Sequence, residues 1–276
     1  MTVYYYKDRF LKGGETPVPV EDRAFNYGDG IYEVVRFHRD RSFGLQEHLE
    51  RLRDSAEAIR MALPFPLEEI ESIVRSAVSQ VEDEVVDVYF QISRGEALRV
   101  HPFPQTDPVL SLYARPGRIY TEDFREAGVA VITLPDERWS NCYIKSLNLL
   151  PNVLAKQAAV EAGAYEAVLI RDGWVTEASA SNVFGYHDGV FFTHPANRHI
   201  LNGITRRFLL RAIQKLGFTV QEEPMSEEFF QNEVESAFIT STTMELMPIS
   251  KINQRELHPL GPESPVWQIL QAFRTL

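Results

Sequence analysis

Two spacings of apolar residues alternate along the first part of the chain. In "LQEHLERLRDSAEAIRMAL" the apolar positions are Leu45, Leu49, Leu52, Ala56 and Ile59, which is the spacing of an amphipathic helix. "LEEIESIVRSAVSQV" repeats it. Around these helices the pattern is that of strands. "TVYYYKDRFLKG" reads as short strands with a turn. "YEVVRFH" and "SFGL" flank Asp40 as a hairpin. "VVDVYFQISRG" and "PVLSLYARP" are β-branched and aromatic. Residues 1–118 therefore read as one small α+β domain. The turn-rich "RPGRIYTEDFREAG" supplies a connection at 119–124, and 125–276 read as a larger mixed domain.

In that second part "VAVITL" is a strand, "YIKSL" a short strand or strand end, and "NVLAKQAAVEAGA" a helix stopped near Gly163. "YEAVLIRDGWVTEAS" and "SNVFGYHDGVFFTHP" each place Asp-Gly between apolar runs, a strong hairpin signal. "GITRRFLLRAIQKLG" is a helix ending at Gly217, and "SAFITSTTMELMPI" a strand running into a Ser/Thr-rich turn.

Charge narrows the range of partners. Asp and Glu number 39 against 28 Lys and Arg, a net charge of −11 without a basic block. That argues against nucleic acid or an anionic membrane. The single cysteine, Cys142, cannot form an internal disulfide; it points to a reducing compartment and reads as a small buried hydrophobe. The opening "MTVYYYKDRFLKGG" has no signal-peptide pattern, and no apolar run reaches membrane-spanning length. A cytoplasmic protein is the expectation.

The common nucleotide, zinc-protease and hydrolase motifs are missing, and the seven His lie without metal-ligand spacing. "GDG" at Gly28–Gly30 is by itself a turn. Lys145 stands out because a lysine flanked by Tyr143, Ile144 and Leu147 is partly desolvated, which suits a Schiff-base amine. The alternative is a lysine whose stem packs while its head reaches water. Glu177 shares a strand face with Val175; if that face is interior the carboxylate needs a cation, such as a pyridinium nitrogen, and otherwise it is a strand-end glutamate in water. "LNGITRR" opens a helix whose free N–H groups favour an anion, and "TSTTM" is a second donor-rich turn. Each alone is more often a cap or a turn. Arg51 alone would be half of a surface ion pair. Arg99 and His101, two apart in a Pro-flanked loop, could hold a carboxylate, or belong to an ordinary polar loop.

Taken in order, "EDRAFNYGDGIYEVVRF", "EHLERLRDSAEAIRM", "YFQISRGEALRVHPFP", "CYIKSLNLLPNVLAKQAA", "VTEASASNVFG", "THPANRHILNGITR" and "TSTTMELMPI" resemble the class IV pyridoxal-phosphate aminotransferases, most closely the bacterial D-amino acid aminotransferases. The resemblance covers nearly the whole chain. It implies a two-domain fold of mixed α and β structure with the cofactor, pyridoxal 5'-phosphate, at the domain interface. Lys145 would hold the cofactor as an internal aldimine and move a proton between the substrate Cα and cofactor C4′, the amino group passing through a pyridoxamine form to a 2-oxo acid such as 2-oxoglutarate. Glu177 would pair with the pyridinium nitrogen. Arg51, the backbone of Ile204 and Thr205, and Ser241 and Thr242 would bind the phosphate, and Leu201 would pack on the ring. Tyr32, Arg99 and His101 would hold the substrate carboxylate. In the D-amino acid enzymes that Arg and His come from the neighbouring subunit, which implies a homodimer with shared active sites. Branched-chain aminotransferases and aminodeoxychorismate lyases share the lysine and the glutamate but not the Arg-x-His loop, and form the alternative; a non-catalytic carrier of the cofactor is a third. Ala180, where the family pattern has Ser, "GEALR" before Arg99, and Asn26 depart from the pattern. They bear on rate and side-chain preference more than on reaction type.

Overall fold

The computed structural model describes residues 1–12, 18–39, 41–257, 261 and 263–275. They form two compact units, one of residues 1–119 with 144–148 and one of 120–143 with 149–276. The segment Ile144–Asn148 thus lies in the first unit, whereas its position in the chain places it in the second domain of the sequence reading.

The first unit contains β1 (Val3–Tyr6), β2 (Arg9–Leu11), α1 (Arg23–Tyr27), β3 (Gly30–His38), β4 (Arg41–Ser42), α2 (Leu45–Ala58), α3 (Leu67–Ser79), β5 (Val85–Ser93) and β6 (Val109–Pro116). The strands make one antiparallel sheet in the order β2-β1-β6-β5-β3-β4. Period-two alternation sends Val35, Phe37, Val88, Phe90, Ile92, Leu110 and Leu112 to one face. There they form a core with Leu45, Leu49, Leu52 and Ala56 of α2 and Ile70, Val74 and Ala77 of α3, so the helix spacing read from the sequence is the buried stripe. The β3–β4 hairpin forms; Asp40 at its turn, and Gly13 after the first hairpin, lie outside the described residues.

The second unit contains α4 (Glu122–Ala127), β7 (Val129–Pro135), α5 (Leu150–Glu161), β8 (Glu166–Arg171), β9 (Trp174–Ala178), β10 (Asn182–His187), β11 (Val190–Thr193), α6 (Ile204–Lys215), β12 (Thr219–Gln221), α7 (Glu227–Asn232), β13 (Ser236–Ser241), β14 (Glu245–Ile252), β15 (Arg255–Glu256) and α8 (Pro265–Phe273). Its sheet runs β12-β11-β10-β13-β14-β7-β8-β9, with β15 beside β14. It is mixed: β7 is parallel to both β8 and β14, and β11 to β12. Both Asp-Gly turns close two-residue hairpins with positive φ at each central residue (52° and 81°, 46° and 80°), as a type I′ turn requires. The stretch read as a connection instead winds into α4, because the Thr121 hydroxyl caps it by accepting from the Phe124 amide and acidic Glu122 and Asp123 sit in its first turn. Among the described residues no helix is long and apolar enough to cross a membrane.

Candidate active site

Lys145 is not in a strand. It lies in an irregular segment that reaches the β3 edge through one isolated bridge, Ile31↔Ser146. The Lys145 carbonyl accepts from the Tyr32 amide (3.0 Å), and the Leu147 amide donates to Gly30 (3.0 Å). The free edge makes this possible, since β4 covers only Phe37 and His38. Gly30 permits the approach: a Cβ there would meet Leu147 Cδ1 at 2.8 Å and the Ile92 carbonyl at 2.6 Å. The Lys145 amide also donates to Ser55 Oγ on α2 (3.3 Å). So fixed, the half-buried lysine sets its Nζ 4.2 Å from the Tyr32 ring centroid. Tyr32 in turn stacks on Tyr89 (5.5 Å), and Tyr89 on Tyr113 (5.2 Å). Asp29 of "GDG" pairs with Arg23 (2.8 Å) and Arg94 (2.9 Å).

Arg51 is no surface partner. Its Nε and Nη2 donate to the two oxygens of Glu33 (2.8 Å each), and His48 Nδ1 lies 2.7 Å from Glu33 Oε2. Glu33 and His48 are fully buried and Arg51 is nearly so. Burial would raise the Glu33 carboxyl, but Arg51 and His48 hold it down to about 2. Burial also holds His48 below its ordinary value, against the pull of Glu33. The sign of the pH dependence follows. The Glu33 contribution is complete above its ordinary 4.5 and is lost as pH falls toward about 2. Glu33→Gln should therefore cost about 3–5 kcal/mol at neutral pH, because the Arg51 charge loses its buried partner. It should also flatten the acid limb of stability between those two values. Urea unfolding of both proteins across that range measures this, and equally steep limbs would contradict it.

Arg99 and His101 sit in an exposed loop that α1 holds in place. Arg23 donates to the carbonyls of Val100 (2.6 Å) and His101 (3.4 Å). The Arg99 guanidinium lies 4.9 Å from the Tyr27 ring centroid, and the His101 ring 5.6 Å from it. Arg99 makes no ion pair among the described residues. Large apolar side chains of α1 and this loop stay exposed: Phe25 at 74% and Leu98 at 81%.

In the second unit Glu177 on β9 is buried, as are Val175, Thr176 and Ala178, so β9 has two covered faces rather than one. The carboxylate accepts from Arg138 Nη1, from Asn182 Nδ2 (3.0 Å) and from the Leu201 amide (3.1 Å). Arg138 is forked onto Asp136 as well. Burial pushes the Glu177 carboxyl above its ordinary range, and Arg138 and the Leu201 amide restrain it only in part. Burial would depress Arg138, but Glu177 and Asp136 hold it above its ordinary value. Past Leu201, α6 starts at Ile204 with Gly203 as N-cap and no side-chain cap, and Ile204 and Thr205 are buried. Ser241 and Thr242 form the start of the β13–β14 turn, where Ser241 Oγ accepts from the Met244 amide (3.3 Å). Ala180 is exposed between buried Ser179 and Ser181. Cys142 is buried; its thiol donates to the Trp139 carbonyl (3.1 Å), and burial raises its pKa.

The first unit therefore brings together Lys145, Tyr32 and, separately, Arg51 with its two buried partners. The second brings together Glu177 and Leu201. Sequence reasoning passed over Glu33, His48, Arg138 and Asn182. Glu33 had a signal, since it shares strand parity with the core residues Val35 and Phe37. Arg138 had none, lying 39 positions from Glu177 in an irregular loop.

The comparisons with known proteins agree with one another. Residues 30–252 match the family model described as Amino-transferase class IV. A D-alanine aminotransferase of Staphylococcus epidermidis is 41% identical over 277 residues, 99% of this chain and 97% of the relative. That of Bacillus licheniformis is 39% identical over 258 residues, 93% and 90% of the two chains. The fold is shared with the branched-chain amino acid aminotransferase of Escherichia coli, whose structure superposes with a TM-score of 0.88 at 22% identity, covering 99% of this chain and 93% of that one. With a family match across most of its length and full-length relatives at about 40% identity, the chain belongs to the class IV aminotransferases.

Proposed function

We propose that this protein transfers the amino group of a D-amino acid, such as D-alanine, to a 2-oxo acid, using pyridoxal 5'-phosphate held by Lys145, Glu177, Arg51, Leu201, Ile204, Thr205, Ser241 and Thr242. The residues fit that cofactor. The α6 N-terminus is buried and uncapped, so its first amide donors await an anion. The Glu177 carboxylate is buried deeply enough that its charge favours a cationic ring nitrogen beside it. When bound, the cofactor supplies an electron sink for the carbanion formed at the substrate Cα.

The protein's part follows from its own groups. Lys145 would hold the cofactor through its Nζ and would carry the proton taken from the substrate Cα. The amides of Ile204 and Thr205 and the hydroxyls of Ser241 and Thr242 would anchor the phosphate and so fix the position of the reacting atoms. Glu33, by holding two nitrogens of Arg51, sets the direction in which the remaining edge of the guanidinium points. Glu177 keeps a positive charge on the ring nitrogen favourable.

The observation that carries the choice of hand is the Arg99–Val100–His101 loop. Among the described residues its guanidinium lies beside the Tyr27 ring and makes no ion pair, leaving its donors for a carboxylate. The relatives named D-alanine aminotransferases, at 39% and 41% identity, support the same hand over the branched-chain reading, whose solved relative at 22% speaks to the fold alone. Loss of a charge-assisted bond costs about 1.5–3 kcal/mol, so Arg99→Ala should slow the half-reaction with D-alanine by one to two orders of magnitude, in round numbers, and leave L-leucine little changed. Equal losses for both hands would remove Arg99 from stereochemical selection.

The exposed apolar side chains around this loop support a homodimer in which Arg99 and His101 serve the partner's site. Mixing inactive Lys145→Ala with crippled Arg99→Ala subunits should then restore activity, because one site of each mixed dimer has both residues intact. No recovery after demonstrated subunit exchange would place Arg99 in its own subunit's site.

A further inference from the structure

The hairpin that presents Ser241 and Thr242 contains a strained residue. Strands β13 and β14 close at the pair Ser241↔Glu245, leaving Thr242, Thr243 and Met244 as a three-residue loop. Glu245, which closes the hairpin just past that loop, lies in the left-handed region at φ 60°, where an L side chain sits only at a cost.

Arg125 of α4 is built around that residue. Its side chain is 4% exposed. Nη1 donates to the carbonyls of Met244 (2.5 Å) and Leu246 (2.6 Å), the two neighbours of Glu245. Nη2 lies 3.0 Å from the Glu245 carboxylate. One guanidinium thus holds the carbonyl of the residue before the strained one, the carbonyl of the residue after it and, together with Arg274 (3.2 Å), its side chain. The arrangement leaves Arg125 Nε buried without a partner among the described residues. A buried cation with an unsatisfied donor is a poor way to gain stability, so the geometry it fixes needs another account. That geometry runs on into the loop, since the Met244 amide donates to Ser241 Oγ. The backbone of Met244 therefore links Arg125 to the hydroxyl assigned to the phosphate.

We propose that Arg125 is a positioning residue for the cofactor phosphate: it locks Glu245 in the left-handed conformation and so holds Ser241 and Thr242 in the one loop geometry that binds that group. The proposal rests on the phosphate role given above to Ser241 and Thr242.

The test separates phosphate from ring. The full-length protein, stripped of cofactor, is titrated with pyridoxal phosphate and separately with pyridoxal, following the visible absorbance. Arg125→Met should weaken pyridoxal phosphate binding by about tenfold or more and leave pyridoxal binding unchanged. Glycine suffers no penalty in the left-handed region, so Arg125→Met/Glu245→Gly should recover pyridoxal phosphate affinity to within about threefold of the parent. An Arg125→Met variant with parental affinity for pyridoxal phosphate, or with equal losses for both compounds, overturns the proposal. So does a double variant that fails to recover. If Arg125→Met does not fold, the double variant decides alone: it must fold and retain the preference for the phosphorylated compound. Ser241→Ala/Thr242→Val is the control on the underlying reading. If it binds both compounds like the parent, the phosphate role of that turn fails; if it loses affinity while Arg125→Met does not, only the role of Arg125 fails.

Discussion

Lys145→Ala should show no visible absorbance from attached cofactor and should lose on the order of 10⁴-fold or more in turnover with any amino acid, since it removes a nucleophile and a proton carrier in one step. The expectation rests on how the lysine is held. Its peptide is tied to the Tyr32 amide and to Ser55, and its ammonium sits over the Tyr32 ring. No other described lysine is held in this way beside the residues assigned to the substrate. The side chain is only half-buried, so truncation creates little cavity, and the thermal midpoint should stay within a few degrees of the parent. A folded Lys145→Ala protein that keeps both the absorbance and the turnover would end the assignment.

Glu177→Gln should differ in kind. Cofactor should stay bound, because the phosphate contacts and Lys145 remain, while the proton-transfer step slows by about 10²–10³-fold, the range for loss of one preorganised electrostatic partner. Glutamine is nearly isosteric, and an amide oxygen in the place of Oε2 can still accept from both Asn182 and the Leu201 amide. What it lacks is the charge that Arg138 faces and that is proposed above to face the cofactor ring. Arg138 would keep Asp136 as a partner, so the variant should remain folded. Rapid mixing with a single amino acid isolates the step, and an unchanged rate would take Glu177 out of the chemistry.

Local pattern was enough for much of the fold. The α2 stripe is buried as spaced, and both Asp-Gly hairpins close as their dihedral preferences demand. It failed where the deciding partner is far along the chain. The Lys145 segment is placed by the uncovered end of β3, more than 110 residues earlier, so its strand-like composition becomes a single bridge. The connection at 119–124 is read from a turn-rich, polar stretch, yet Thr121 caps a helix there and Arg125, just beyond, is drawn into the β13–β14 turn. Lys145 and Glu177 were visible as residues out of place, a lysine among apolar neighbours and a carboxylate on a strand face. Their supporting groups were not. Arg138, Asn182 and His48 look ordinary in the sequence, Glu33 shows only its parity with the core residues of its strand, and their partners come from the fold.

The central claim is transamination of D-amino acids, and the half-reaction reads it directly. The pyridoxal phosphate form of the protein is mixed with D-alanine or L-leucine in the absence of any oxo acid, and the loss of its visible absorbance is followed in time. The account predicts rapid loss with D-alanine and a slow or negligible change with L-leucine, with the absorbance restored by 2-oxoglutarate. Faster loss with L-leucine than with D-alanine would contradict it and give the chain to the branched-chain reading.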